Sequence, residues 1–181
     1  MTTQTELTDV KTLRFRARKH IEEGAVTAGY SADRTAVLKL LNDALATEIV
    51  CVLRYRRHHF MARGIDAKST ADEFLVHSNE EQGHADRIAE RIVQLGGEPD
   101  FAPDGLTARS HAEYVAGGSL VEMIKEDLVA ERIAIDSYRE LIHYLNEQDP
   151  TTSQMLKEIL AVEEQHADEL ADLLSGLPAK L

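Results

Sequence analysis

Glu81-Gln82-Gly83-His84 decides how this chain folds, together with its counterpart Glu163-Glu164-Gln165-His166. In both stretches a histidine follows a glutamate by three residues. On an α-helix that spacing places both side chains on one face, about one turn apart. A single Glu-x-x-His in a glutamate-rich sequence most often lies on a solvated face, so the two copies need support from the sequence around them.

Each copy lies in a long segment whose apolar residues recur at steps of three and four, which is typical of a helix with one buried stripe. Two further segments show the same pattern and carry a single glutamate on the stripe, Glu48 and Glu131. We predict helices over about residues 31–61, 69–95, 119–145 and 151–175. Glu48 precedes Glu81 by 33 residues and Glu131 precedes Glu163 by 32, so the two halves of the chain repeat.

The links between these helices differ in length. The first and third links are short and make antiparallel neighbours, whereas the link over about residues 97–118 is long enough to run back along a helix. We predict that this link is irregular, with a short turn of helix at residues 111–115. Another amphipathic segment, about residues 9–23, predicts an extra N-terminal helix.

The predicted fold is all-α: an antiparallel four-helix bundle with one long crossover connection and an extra N-terminal helix. Aromatic residues make up only 5% of the chain and prolines number four, which favours helix over sheet. We place the bundle at residues 31–176, an N-terminal extension at 1–30 and a C-terminal tail at 177–181.

The four glutamates on the stripes need a compensating charge, because an isolated carboxylate in a bundle core costs several kcal/mol. Two divalent cations supply that charge. Carboxylates and imidazoles without thiolates favour iron or manganese over an iron–sulfur cluster or a structural zinc site. One glutamate from each of two helices and Glu-x-x-His from the other two is the ligand arrangement of di-iron carboxylate bundles.

Composition and charge limit the remaining possibilities. The net charge of -12 argues against a nucleic-acid partner. The sequence has neither a membrane-spanning apolar run nor an export leader, and its one cysteine, Cys51, cannot form an internal disulfide. We therefore expect a cytoplasmic protein that does not bind membranes.

Over about residues 33–175 the sequence resembles the bacterioferritin branch of the ferritin-like superfamily. The resemblance implies two metal ligand sets bridged by Glu81 and Glu163: Glu48, Glu81 and His84 for one metal, and Glu131, Glu163 and His166 for the other. Tyr55 and Tyr138 match tyrosines beside the metals in that family, and we include them among the predicted catalytic residues. Asp127, one turn before Glu131, is expected to orient His84 or another ligand.

The chain also departs from the bacterioferritin pattern. Bacterioferritins bind haem through a methionine directly after the first motif glutamate, and Gln82 stands at that position, so we expect no haem. We do not expect the short fifth helix that follows the bundle in that family, because only residues 175–181 follow the predicted fourth helix. The sequence is therefore compatible with a homo-oligomeric shell of 12 subunits, as in Dps-like proteins, or with one of 24. We predict that Cys51 is a small core residue rather than a redox-active thiol.

The resemblance implies a ferroxidase, in which two Fe(II) per chain are oxidised together by O2 or H2O2 for iron storage, detoxification and protection against oxidative stress. Two alternatives stay open. The same ligand set suits a di-iron or di-manganese peroxidase or catalase that stores no mineral. A helical interaction protein without metal is the other alternative, and it would leave the core glutamates without a counter-charge.

Overall fold

The computed structural model describes residues 7–64 and 67–176, and within them the predicted all-helical fold is confirmed. The four bundle helices are α2, α3, α5 and α6, and two short helices, α1 and α4, lie outside the bundle. Their bounds are α1 Val10–Arg16, α2 Arg34–Met61, α3 Ala67–Gln94, α4 Pro103–Arg109, α5 Leu120–Leu145 and α6 Pro150–Gly176. The predicted tail at 177–181 lies outside the described residues, and the division of the chain at residues 30 and 176 stays a prediction.

Side chains cap the starts of three bundle helices. At the start of α2, the carboxylate of Asp33 accepts a hydrogen bond from the backbone N–H of Ala36. At the start of α5, the hydroxyl of Ser119 accepts one from the backbone N–H of Glu122. Asp149 caps α6 by accepting from the backbone N–H and the hydroxyl of Thr152. All four bundle helices begin within three residues of the predicted positions, and these local bonds stabilise three of the starts.

Two apolar clusters fill the bundle and leave a polar layer between them. The first, which we call the Leu41 cluster, includes Leu41, Leu45, Ile88, Ile92, Leu141, Leu145, Leu156 and Ile159. The second, the Phe74 cluster, includes Cys51, Tyr55, Phe74, Met123, Ile124 and Leu170. Along each bundle helix, the residues of one cluster come before the motif glutamate and the residues of the other come after it. The motif glutamates are Glu48 on α2, Glu81 on α3, Glu131 on α5 and Glu163 on α6.

The order of the clusters along each helix gives the topology. On α2 and α6 the Leu41 cluster precedes the motif glutamate, whereas on α3 and α5 it follows. Helices α3 and α5 are therefore parallel, and the chain must return along the bundle between them. α2 packs against α3 and α5, and α6 packs against the same two helices. This is the predicted bundle with a single crossover.

The prediction of a helical turn at residues 111–115 is wrong. Those residues are not helical, and the crossover instead forms α4 at Pro103–Arg109. Proline is favoured at the first position of a helix because its fixed φ suits that position and its missing N–H is not needed there. Leu106 of α4 is buried against Ala46 and Val50 of α2, so packing holds the short helix in place.

The N-terminal helix is shorter than the predicted 9–23. It spans only Val10–Arg16, and a separate 3-10 turn follows at Ile21–Glu23. None of the residues of α1 is buried. A helix of seven residues without a packed face is marginal on its own, which explains why the amphipathic pattern overestimated its length. Within 7–64 and 67–176, none of the helices has the length and apolar character needed to cross a lipid bilayer.

Candidate metal centre

The six predicted ligands meet in the polar layer between the two apolar clusters. All are buried, with at most 5% of any of them exposed: Glu48, Glu81, His84, Glu131, Glu163 and His166. Helices α2 and α5 contribute one glutamate each, and α3 and α6 contribute the Glu-x-x-His pairs. Helical spacing of three thus brings each histidine to the same layer as its glutamate.

Their donor atoms form two groups, in each of which the atoms lie within 4.8 Å of one another. One group contains Glu48, Glu81, His84 and Glu163, and the other contains Glu81, Glu131, Glu163 and His166. Glu81 and Glu163 belong to both. Two adjacent cations bridged by these two carboxylates would use every member of both groups.

Each histidine faces several carboxylates at once. Nδ1 of His84 lies 2.9 Å from Glu163, 3.3 Å from Glu81 and 3.4 Å from Glu48. Nδ1 of His166 likewise lies 3.4 Å from Glu163 and 3.6 Å from Glu81. A ring nitrogen carries at most one proton, so it cannot satisfy three carboxylates together.

Several buried atoms of the centre therefore lack a hydrogen bond. Among the described residues, none pairs in good geometry with Glu48 Oε2, Glu81 Oε1, either Glu163 oxygen or His166 Nδ1. Buried polar atoms are otherwise nearly always paired. Cations held among these oxygens and nitrogens would satisfy them, so the residues present fit a pair of divalent metal ions.

Burial and mutual repulsion keep protons in the metal-free centre. Burial and the charge of Glu81 raise the pKa of Glu48 to about 8, and the same causes raise the pKa of Glu131 well above its ordinary value. For His166 burial acts to lower the pKa, but the neighbouring carboxylates of Glu163 and Glu81 outweigh it and raise the pKa to about 11. For His84 burial likewise acts to lower the pKa, but the carboxylates of Glu163, Glu48 and Glu81 around its Nδ1 outweigh burial and raise the pKa well above 6.5.

Two tyrosines form hydrogen bonds between α2 and α5 at the centre. The hydroxyl of Tyr55 on α2 donates to Glu131 on α5, and the hydroxyl of Tyr138 on α5 donates to Glu48 on α2. Burial, followed by the nearby carboxylate charges, raises the pKa of both tyrosines well above 10. Both hydroxyls therefore stay protonated and hold one oxygen of each single glutamate in place.

His166 is also held from outside the centre. Its Nε2 lies 2.8 Å from a carboxylate oxygen of Glu80. Such a partner keeps a proton on Nε2 and directs the other ring nitrogen inward. This contact was missed by sequence reasoning, since Glu80 lies one position away from the buried stripe of α3.

The expectation that Asp127 orients His84 or another of the six ligands is wrong. Asp127 accepts from Arg54 Nε at 2.7 Å and lies 2.8 Å from Nδ1 of His58. Arg54 also donates to the backbone carbonyl of Glu113, and His58 lies 3.1 Å from that of Ala116. All three side chains are buried, and together they tie α2 to α5 and to the crossover. We call Arg54, His58 and Asp127 the Arg54 network.

Arg54 Nη2 also lies 3.6 Å from the sulfur of Cys51, which packs in the Phe74 cluster. Burial raises the pKa of its thiol well above the ordinary value. A thiol that stays protonated is a poor nucleophile and a poor metal ligand. The structure therefore supports the prediction of a core residue.

At pH 7, metal binding to this centre is expected to release up to about four protons per chain, because Glu48, Glu131, His84 and His166 hold protons until their atoms coordinate cations. Metal affinity should accordingly rise with pH between pH 6 and 8. The measurement is an anaerobic Mn(II) titration in weak buffer with proton release followed by a pH indicator. Release unchanged in Glu48→Gln would contradict this protonation pattern, and Glu90→Gln on the exposed face of α3 is the control.

The family model described as the ferritin-like domain matches residues 38–179 of this sequence. The chain belongs to the ferritin-like family. A bacterioferritin of Desulfovibrio desulfuricans is 29% identical over 141 residues, which cover 77% of this chain and 75% of that protein.

Solved structures of the ferritin-like family agree with this assignment. A dodecameric thioferritin of Bacteroides fragilis, described as bacterioferritin-related, superposes with a TM-score of 0.77 at 31% identity, over 80% of this chain and 88% of that one. A ferritin-like, diiron-carboxylate protein of Bacillus anthracis superposes with a TM-score of 0.70 at 26% identity, over 80% of this chain and 99% of that one.

Proposed function

We propose that this chain is a ferroxidase, which binds two Fe(II) between the six buried side chains and oxidises them with O2 or H2O2. The observation that carries the proposal is the pair of donor groups that share Glu81 and Glu163 and contain buried atoms without hydrogen bonds. Membership of the ferritin-like family supports it. In this proposal Glu48 and His84 complete one iron site, and Glu131 and His166 complete the other.

The substrate supplies the electrons. Two Fe(II) give up one electron each, and O2 takes both with two protons to become H2O2; where H2O2 is the oxidant, it takes two electrons and two protons to become two water molecules. Pairing the irons lets both electrons leave together.

The protein fixes the geometry for this reaction. Glu81 and Glu163 would be shared by the two irons, while the hydroxyls of Tyr55 and Tyr138 donate to Glu131 and Glu48 and hold them in place. Glu80 holds the ring of His166. The Leu41 and Phe74 clusters close the centre above and below, which excludes bulk water and strengthens the electrostatic interactions inside.

We further propose that the chains assemble into a cytoplasmic homo-oligomeric shell of 12 or 24 subunits that stores the oxidised iron. The bundle exposes large apolar side chains, among them Phe60, Val93 and Val129, which suits surfaces that are covered in an assembly. The dodecameric relative supports the smaller shell. The absence of haem at Gln82 stays a prediction.

The test is anaerobic titration of the metal-free protein with Fe(II), followed by O2 or H2O2. We expect two tightly bound Fe(II) per chain, oxidation at least about 100-fold faster than in protein-free buffer, and a shell that takes up many further irons. Absorbance and native mass measure these outcomes. Failure to bind Fe(II) would contradict the proposal, and tight Mn(II) binding with peroxide turnover but no mineral would favour the peroxidase or catalase alternative, since the donor set suits both metals.

A further inference from the structure

A second cluster of metal-binding side chains lies beside the six-residue centre but outside it. Near the beginning of α3 and the end of α6, Nε2 of His77 lies 3.0 Å from Glu169 Oε2 and 3.5 Å from Glu73 Oε1. We call Glu73, His77 and Glu169 the outer cluster. Its donor atoms lie within 4.8 Å of one another, as in the two groups of the centre.

The position of His77 distinguishes this cluster from an ordinary acidic patch. The His77 side chain is fully buried and turns its Nε2 toward the two glutamates, while its Nδ1 has no hydrogen-bond partner among the described residues. The side chains of Glu73 and Glu169 are more than a third exposed. A buried imidazole therefore faces two carboxylates that reach solvent.

The distances suit a cation. Nitrogen and carboxylate ligands lie about 2.0–2.2 Å from a divalent first-row metal, so neighbouring ligands at right angles are about 3 Å apart. The separations of 3.0 and 3.5 Å in the outer cluster are close to that value. One imidazole and two carboxylates form a three-ligand set that leaves further positions for water.

The cluster also has access to solvent and to the centre. A surface cavity of about 460 Å³ is lined by Ser69, Thr70, Glu73, Glu169, Asp172, Leu173 and Gly176. On the other side, the ring of His77 stacks on that of His166 with centroids 4.0 Å apart. A ring nitrogen of His77 also lies within 4.8 Å of donor atoms of Glu131 and His166. His77 thus stands between the cavity and the centre.

We infer that Glu73, His77 and Glu169 bind a divalent cation, and that this third metal site receives Fe(II) from the cavity before it enters the centre. The binding site is independent of the chemistry at the centre. Its role as an entry site rests on the proposed ferroxidase function.

The binding test uses Co(II), which does not depend on oxidation, measured by equilibrium dialysis of the full chain. We expect the wild type to bind one more equivalent than Glu73→Gln/Glu169→Gln, whose affinity at the third site should fall by more than about 100-fold because two of three ligands lose their charge. Both residues are partly exposed, so the variant keeps the core intact. Asp172→Asn removes a carboxylate from the same cavity wall and should retain the extra equivalent. Equal stoichiometry in wild type and double variant would overturn the site.

The entry role is tested by Fe(II) oxidation at low and at saturating iron. In Glu73→Gln/Glu169→Gln we expect an initial rate about 10-fold lower at low Fe(II) and an unchanged rate at saturation. Unchanged rates at both concentrations would overturn the entry role while leaving the site. If the wild type binds Co(II) at the outer cluster but oxidises no Fe(II), only the ferroxidase proposal is contradicted. Glu81→Gln alters only the centre, so it should still bind the equivalent of Co(II) at the outer cluster.

Discussion

Glu81→Gln is expected to lower the initial rate of Fe(II) oxidation by at least about 100-fold, because Glu81 belongs to both donor groups and its loss disrupts both iron sites together. Even residues that only orient a metal ligand typically change affinity or activity 10–100-fold, and a shared ligand should matter more. Stopped-flow absorbance after anaerobic loading with Fe(II) measures the effect. Gln preserves the volume of the side chain, so the loss is one of charge and coordination rather than of packing.

A matched variant on the same helix separates the two roles. Glu80→Gln leaves the six side chains intact and removes only the carboxylate that faces Nε2 of His166, so its rate should fall about 10-fold. A rate within a factor of two of the wild type in Glu81→Gln would mean that the reaction does not use this centre.

Arg54→Ala is expected to lower the free energy of unfolding of the metal-free protein by about 3–5 kcal/mol, the usual effect of removing one partner of a buried ion pair. Only 1% of Arg54 and none of Asp127 is exposed, so water cannot replace the lost guanidinium. The carbonyl of Glu113 loses its donor as well. Urea denaturation followed by circular dichroism, at a fixed protein concentration, measures the change.

Arg56→Ala is the control, because Arg56 lies two residues away on the exposed face of α2 and donates to Asn79. Its free energy of unfolding should change by less than about 1 kcal/mol. Replacing both members of the pair, in Arg54→Met/Asp127→Leu, should recover part of the loss, since apolar side chains do not need partners. A loss below about 1 kcal/mol in Arg54→Ala would show that His58 alone stabilises the Asp127 carboxylate.

The Arg54 network and the metal centre use buried charge in different ways. Asp127 has two partners within the chain, Arg54 and His58, whereas among the described residues the carboxylates of Glu81 and Glu163 have too few protons around them. The first arrangement contributes to the stability of the protein without metal. The second makes the protein depend on cations, so added metal should raise the unfolding temperature.

The sequence by itself determined the four bundle helices, their order and the six side chains that meet between them. Apolar residues spaced by three and four fix which face of a helix is buried. A glutamate or histidine on that face must therefore be buried in the bundle together with its apolar neighbours. The long link between α3 and α5 required parallel helices. Local hydrogen bonds of Asp33 and Ser119 set the starts of two helices from within the sequence itself.

Only the tertiary structure decided which buried groups pair with one another. Asp127 and Glu131 are one turn apart on α5, and both contact α2. Periodicity cannot predict that Asp127 pairs with Arg54 whereas Glu131 accepts a hydrogen bond from Tyr55. His77 lies on the stripe of α3 like any core residue, and its contact with Glu169 depends on how α3 and α6 are aligned. The position of α4 likewise depends on Leu106 packing against α2. These contacts join residues that are far apart in the chain. They depend on how the helices are rotated and aligned relative to one another, which local sequence patterns do not encode.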